Sequence, residues 1–172
     1  KTLYIFELNR DQNNCTLDEY SAETGEKLRT LYTEKDDKYV EPLHPVSFLP
    51  WDSQKFLMWS QKDGFMHLYV GNATGDISLR QLTKGNFVVD EILGFCTKTK
   101  SVIIKSNELN PLQMNIWSVN IETGKRTLLG NGKGVHRGSL SESGLYVSDT
   151  YSEPTVPRNI DILSTTKNKQ VR

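Results

Sequence analysis

Three histidines, two cysteines and two glycine-bracketed stretches are the residues whose types could do chemistry here. His44, His67 and His136 lie far apart, and none has a second His or a carboxylate at metal-ligand spacing. A nucleophile elbow needs Gly-x-Ser-x-Gly, so that the serine stands exposed on a strained strand-to-helix turn. The nearest approach, GSLSESG from Gly138 to Gly144, has the wrong spacing and sits in a strand-like pattern. It reads as a polar strand and its hairpin. GNGKG, Gly130 to Gly134, has the glycines of a phosphate loop without the GxxxxGK[ST] spacing or a following helix. That stretch reads as a flexible connection. Cys15 and Cys96 show no CxxC and no neighbouring His; two unpaired, partly buried thiols are the plain reading and one disulfide is the alternative. Asn14-Cys15-Thr16 and Asn72-Ala73-Thr74 match the glycosylation acceptor pattern, which has meaning only in a eukaryotic secretory pathway. The residues therefore point to no catalytic centre in this chain, no metal site and no cofactor.

Composition bounds the rest. The chain has 172 residues, with 21 Lys and Arg against 21 Asp and Glu. A neutral balance leaves no global field to hold nucleic acid or an anionic membrane, so recognition must come from local shape. Hydrophobic residues make up 36% and charged residues 24%, as many short, half-exposed strands would give. No apolar run approaches the ~18 residues of a membrane helix. The sequence opens at Lys1 inside a strand-like pattern and closes in NKQVR, where a strand should continue. Both ends are expected to be cuts within a longer polypeptide.

A period runs through the chain. Glu23-Thr24-Gly25, Ala73-Thr74-Gly75 and Glu122-Thr123-Gly124 place glycines 50 and 49 residues apart, each between two strand-like runs. Glycine there supplies the positive φ of a tight hairpin. A fourth copy begins at Ile162-Leu163-Ser164-Thr165, with a turn at Lys167-Asn168-Lys169. Four strands fit each full period: Pro45–Pro50, Lys55–Gln61, His67–Ala73 and Ser78–Thr83, then Val89–Cys96, Ser101–Asn107, Asn115–Ile121 and Lys125–Leu129. The last unit gives Val135–Ser141, Leu145–Ser152, Arg158–Ser164 and a stub at Gln170–Arg172. The first shows three, Thr2–Leu8, Thr16–Ala22 and Leu28–Thr33. No stretch keeps an apolar face at helical spacing. Four antiparallel strands at this period predict an all-β chain, a partial β-propeller of three to four blades over residues 1–34, 45–84, 89–130 and 135–172 of one domain. Such an array leaves two blade faces uncovered, to be tolerated or covered by a second copy in a homodimer.

At these residues the sequence resembles a known family. FLPWDSQKFLMWSQKDGFMHLYV (Phe48 to Val70), QLTKGNFVVDEILGF (Gln81 to Phe95) and DTYSEPTVP (Asp149 to Pro157) are similar to the N-terminal β-propeller of dipeptidyl peptidase IV and its bacterial relatives. The motif elements are Ser60 before Asp63-Gly64, then His67 and Tyr69, then Leu82-Thr83, Gly85, Phe87 and Val89. The resemblance implies the latter half of an eight-bladed propeller that gates and orients peptide substrates for an α/β-hydrolase domain of the same polypeptide. The Ser-Asp-His triad and the glutamate pair that holds the substrate amine would both lie outside this chain. The implied parent is a serine-type prolyl peptidase of the periplasm or the extracellular space.

Two segments are candidates for contact. Tyr39 and Glu41 stand in the Pro-punctuated stretch Tyr39–Pro45, where the resemblance places a loop beside the substrate cavity. Glu41-Pro42 replaces the aromatic–arginine pair of some relatives, so that contact does not carry over; a rigid connection is the plainer role. Asp149–Pro157 with Arg158 suits a stiff surface loop and a contact with the hydrolase domain. Trp51, Trp59 and Trp117 read as packing residues. A rival reading is a free-standing, TolB-like periplasmic propeller that docks proteins or glycans.

Overall fold

The computed structural model describes residues 1–74, 78–167 and 170–171. Among these there is no helix; all regular structure is antiparallel strand. Contacts divide the chain into two units, Lys1–Gln81 and Leu82–Arg172, each holding two sheets. Gly75, the Asn168-Lys169 turn and Arg172 lie outside the described residues.

In the first unit, β1 (Thr2–Leu8), β2 (Asn14–Ser21) and β3 (Lys27–Lys35) form a three-stranded sheet in that order. β4 (Ser47–Leu49), β5 (Asp52–Ser60), β6 (His67–Asn72) and β7 (Arg80–Gln81) form a four-stranded one. Side chains alternate across β1, so Tyr4 and Phe6 turn inward while Leu3 and Ile5 stay exposed. The inward face packs Leu17, Leu31, Phe56, Met58 and Tyr69, with Phe48 5.0 Å from Tyr4 and 5.8 Å from Phe56 between ring centroids. Each fully buried side chain of this kind contributes about 1.5–3 kcal/mol. Gly71 is required there, since a Cβ would sit 2.5 Å from the Phe56 ring.

The second unit repeats the plan. β8 (Val89–Cys96), β9 (Ser101–Ser106), β10 (Asn115–Asn120) and β11 (Arg126–Leu128) form one sheet. β12 (Val135–Leu140), β13 (Tyr146–Glu153), β14 (Val156–Ser164) and β15 (Gln170–Val171) form the other. Cys96, Ile103, Ile116, Leu129, Val147 and Leu163 make the core, with Leu93, Leu140 and Leu145 packed against it. The other face of β13 and β14 exposes Tyr146, Ile160 and Ile162. In β8 a bulge between Val89 and Glu91 brings the consecutive Asp90 and Glu91 carboxylates each to 2.9 Å from Lys105 Nζ.

The recurring hairpin has a common device. Gly25 and Gly124 adopt φ of +74° and +70° and donate to the carbonyls of Ser21 and Asn120 at 2.9 and 2.8 Å. Ser21 Oγ and Asn120 Oδ1 accept from the Thr24 and Thr123 amides at 3.2 and 2.9 Å, closing the turn from its first residue. Strand bounds differ from the sequence reading mainly at outer strands and at the last hairpin. Ser78–Thr83 shrinks to Arg80–Gln81, and the surface loop expected over Asp149–Pro157 is corrected: Asp149 is buried within β13, and the connection is a two-residue turn with Glu153 pairing Val156. Pro157 is tolerated in β14 because, among the described residues, the outer side of β14 pairs only at Ile162 and Leu163, with β15.

A buried carboxylate stands inside the first sheet. Asp18 accepts from Thr16 and Thr30 Oγ1, both at 2.6 Å, and from Lys27 Nζ at 2.8 Å. Burial works against ionisation, but these hydrogen bonds and the Lys27 charge outweigh it and hold the carboxyl below its ordinary value of 3.8. Its ionised form therefore stabilises the fold above pH 3.8, and that contribution is lost as pH falls through the lower folded value.

Two predictions follow from turn and carboxylate. At Gly144 (φ +69°) a Cβ would lie 2.3 Å from the Phe95 carbonyl, whereas at Gly25 nothing stands within 4 Å. Gly25→Ala is expected to cost about 1 kcal/mol and Gly144→Ala at least ~2 kcal/mol in urea unfolding; equal costs would contradict the packing argument. Asp18→Asn is expected to cost about 1–2 kcal/mol near neutrality and to flatten the stability loss of the first unit below pH ~4. Unfolding curves at pH 3 and pH 7 check it.

Candidate functional site

The connection from β3 to β4, residues 36–46, is pinned along its length. The amides of Asp36 and Val40 donate to the carbonyls of Asn13 and Gln12 at 3.1 and 2.7 Å. The Gln61 side chain donates to the Tyr39 carbonyl at 3.0 Å, and His44 stacks on Trp59 with centroids 4.3 Å apart. Val40 is buried as the anchor, while Tyr39 and Glu41 on either side of it are exposed. Both predicted residues thus stand at the rim of one rigid connection, with side chains in solvent.

Beneath it lies a cavity of about 10 Å³, lined among others by Cys15, Tyr32, Glu34, Glu41, His44 and Trp59. It has room for at most one water. Cys15 and Glu34 face each other across β2 and β3. Burial first, then the Glu34 and Asp18 carboxylates, pushes the Cys15 thiol up to about 11. The same burial, with Glu34, pushes the Tyr32 phenol up to about 12. Both groups are therefore neutral at physiological pH, so neither the thiol nor the phenol there is in its nucleophilic form. Cys15 and Cys96 are free thiols, as the plain reading had it.

The histidines resolve separately. His67 is buried at the start of β6 opposite Ser60, and His44 belongs to the Trp59 stack. His136 is the one that sequence reasoning undervalued. Its Nδ1 lies 2.7 Å from Asp149 Oδ2, and both residues are 1% exposed. This matches the base-and-orienter half of a catalytic triad, but Nε2 faces the Lys133 carbonyl at 2.9 Å instead of a hydroxyl. No serine can be activated there. The signal was present in the hairpin: pairing outward from the Ser141–Gly144 turn puts His136 opposite Tyr151, one inward-facing position from Asp149.

Two further stretches were singled out earlier. GNGKG is a tied connection, with the Met114 amide donating to Gly134 at 3.2 Å and the His136 amide to Met114 at 2.9 Å. An open groove of about 370 Å³ in the second unit is lined by hydroxyls, Asn120, Lys125 and Lys167, with no acid–base pair. Among the described residues, no three His, Cys, Asp or Glu converge as metal ligands.

Alkylation tests the thiol assignment. Cys15, 3% exposed and shifted upward, should react with iodoacetamide at pH 8 at least ~100-fold more slowly than after unfolding in urea. Mass spectrometry of timed aliquots reads the rate, and equal rates in both states would refute the burial of this thiol.

Residues 1–158 match the family described as the dipeptidyl peptidase IV (DPP IV) N-terminal region. Dipeptidyl peptidase 4 of Arthroderma otae is 27% identical over 143 residues, covering 80% of this chain and 18% of that protein. For dipeptidyl peptidase 4 of Trichophyton equinum the values are 26% over 153 residues, 87% and 20%. A candidate dipeptidyl aminopeptidase IV of Bacteroides ovatus superposes with a TM-score of 0.85 at 40% identity, over 99% of this chain and 27% of that one. Dipeptidyl peptidase 4 of Porphyromonas gingivalis gives the same TM-score at 23% identity, over 99% and 24%, which shows the shared fold. The all-β blade fold read from the sequence is therefore the fold of these propellers. The chain spans about a fifth of the length of the curated relatives it matches.

Proposed function

Because this chain belongs to the DPP IV N-terminal region family, we propose that it is a non-catalytic propeller segment of a dipeptidyl peptidase. It orients and gates peptide substrates for an α/β-hydrolase domain elsewhere in the same polypeptide. The observation that supports this is the family match across residues 1–158. The local chemistry agrees: Cys15 is neutral, and the buried His136–Asp149 pair spends its second ring nitrogen on a carbonyl. Tyr39 and Glu41, held at the rim of the pinned connection, are the residues through which this segment meets a peptide. An exposed phenol stacks or donates to a peptide carbonyl, and an exposed carboxylate attracts a cationic side chain or amine. The proposal carries with it a periplasmic or extracellular location. Other blades cover the exposed Leu3/Ile5 and Ile160/Ile162 faces.

The test compares this chain with the polypeptide that contains it, using a Gly-Pro chromogenic substrate. The isolated chain should release no chromophore. In the longer protein, Tyr39→Ala and Glu41→Gln should raise KM about 3–10-fold with kcat nearly unchanged, the mark of lost substrate binding. Hydrolysis by the isolated chain would overturn the non-catalytic assignment. Unchanged KM in both variants would remove these two residues from the site.

A further inference from the structure

We propose that His136 and Asp149 form a proton-held latch that fastens the Gly130–Gly134 connection to the hairpin at the end of β13. The proton count follows from the partners. A carbonyl oxygen only accepts, so His136 Nε2, 2.9 Å from Lys133 O, carries a hydrogen. Nδ1 lies 2.7 Å from a carboxylate oxygen, which accepts as well. A proton on Nδ1 satisfies that contact, making the ring an imidazolium with both N–H groups donating. Without that proton, the Nδ1 lone pair faces the lone pairs of Asp149 in a site excluded from water. Asp149 Oδ1 is buried with no hydrogen-bond partner, so this carboxylate depends on the imidazolium for its compensation.

The ring also joins two backbone segments. It stacks on Tyr151 at 5.0 Å and 18°, and Gly130 approaches so closely that a Cβ would lie 3.0 Å from Cε1. Gly134 lies directly on the hairpin, where a Cβ would stand 2.1 Å from the Ser152 carbonyl. Few titratable groups face the ring. From β13 the ring meets Asp149 and the Tyr151 phenol, with Glu153 further along the strand. From β14, Asp161 pairs directly opposite Asp149, and its carboxylate receives Asn159 Nδ2 at 2.9 Å. β10 carries no titratable residue from Asn115 to Asn120, and Arg137 on β12 points to the opposite, exposed face. The connection itself offers the Lys133 carbonyl. When hydroxide takes the Nδ1 proton, ring and carboxylate no longer hold each other and the latch opens.

Histidine 15N shifts and amide exchange on the same chain, from pH 5 to pH 11, test this. Both ring nitrogens of His136 should be protonated at pH 6. Loss of the Nδ1 proton should coincide with at least tenfold loss of protection, corrected for intrinsic rates, at the Met114 and His136 amides. A ring that never holds two protons, keeps both to pH 11, or loses one without that loss of protection overturns the proposal. In Asp149→Asn the carboxamide donates to a neutral ring, so protection should become independent of pH. A persistent pH dependence in the folded variant would refute the assignment. Should that variant fail to fold, the ring measurement on the unaltered chain decides alone.

Discussion

A small antiparallel sheet cannot hide an apolar face from water by itself; it needs a second sheet laid against that face. Everything described above depends on that pairing, which occurs once in each unit. Leu17, Phe56 and Met58 close one such interface, and Ile103, Ile116, Val147 and Leu163 close the other. Turns, bulges and buried polar groups are then judged by whether they let two sheets approach. Gly71 under the Phe56 ring and Gly138 against Leu93, Ile116 and Val147 are places where nothing larger than hydrogen fits.

Polar groups follow the same requirement. Within the face that carries Val147 and Leu163, the alternation continues outward into Asp149 and Tyr151. The strand does not change its facing at the edge of the apolar core, so a polar residue there is buried and must find partners. His136 supplies one to Asp149, and the Lys133 carbonyl completes the account for the ring. Asp18 meets the same demand with two threonines and a lysine from its own sheet. In both places a carboxyl is buried on an interior strand, and residues of a neighbouring strand reach it with hydrogen bonds.

Much of this was legible in the sequence. The Thr-Gly hairpins at Gly25 and Gly124 announce themselves because only a residue tolerant of positive φ fits, and the central strands because runs such as Val102-Ile103-Ile104 suit nothing else. Outer strands were read too long, since Ser78–Thr83 has strand-like composition but pairs with β6 only at Arg80 and Gln81. The last hairpin was read too short, because two prolines suggest a loop unless one knows that, among the described residues, β14 pairs on its outer side only at Ile162 and Leu163. Tyr39 and Glu41 are exposed, and the pinning of their connection by Gln12, Asn13 and Gln61 involves distant residues that no local pattern reveals. The His136–Asp149 contact was hidden for a related reason: a diagonal pair across a hairpin becomes visible only once the register is fixed.

The bulge at Asp90 has a bearing on how this sequence can change over evolutionary time. A regular strand would send Asp90 and Glu91 to opposite faces, and the inserted residue aims both at Lys105. Substitutions at either acid leave the other in contact with the lysine. A one-residue deletion at the bulge removes the unpaired residue and leaves Val89 opposite Ser106 and Glu91 opposite Lys105, so it ends the shared ion contact without changing the facing of any flanking residue. Loss of a residue should therefore be tolerated among descendants at the bulge and purged strictly at the regularly paired positions beside it, where it would turn every side chain beyond it to the other face.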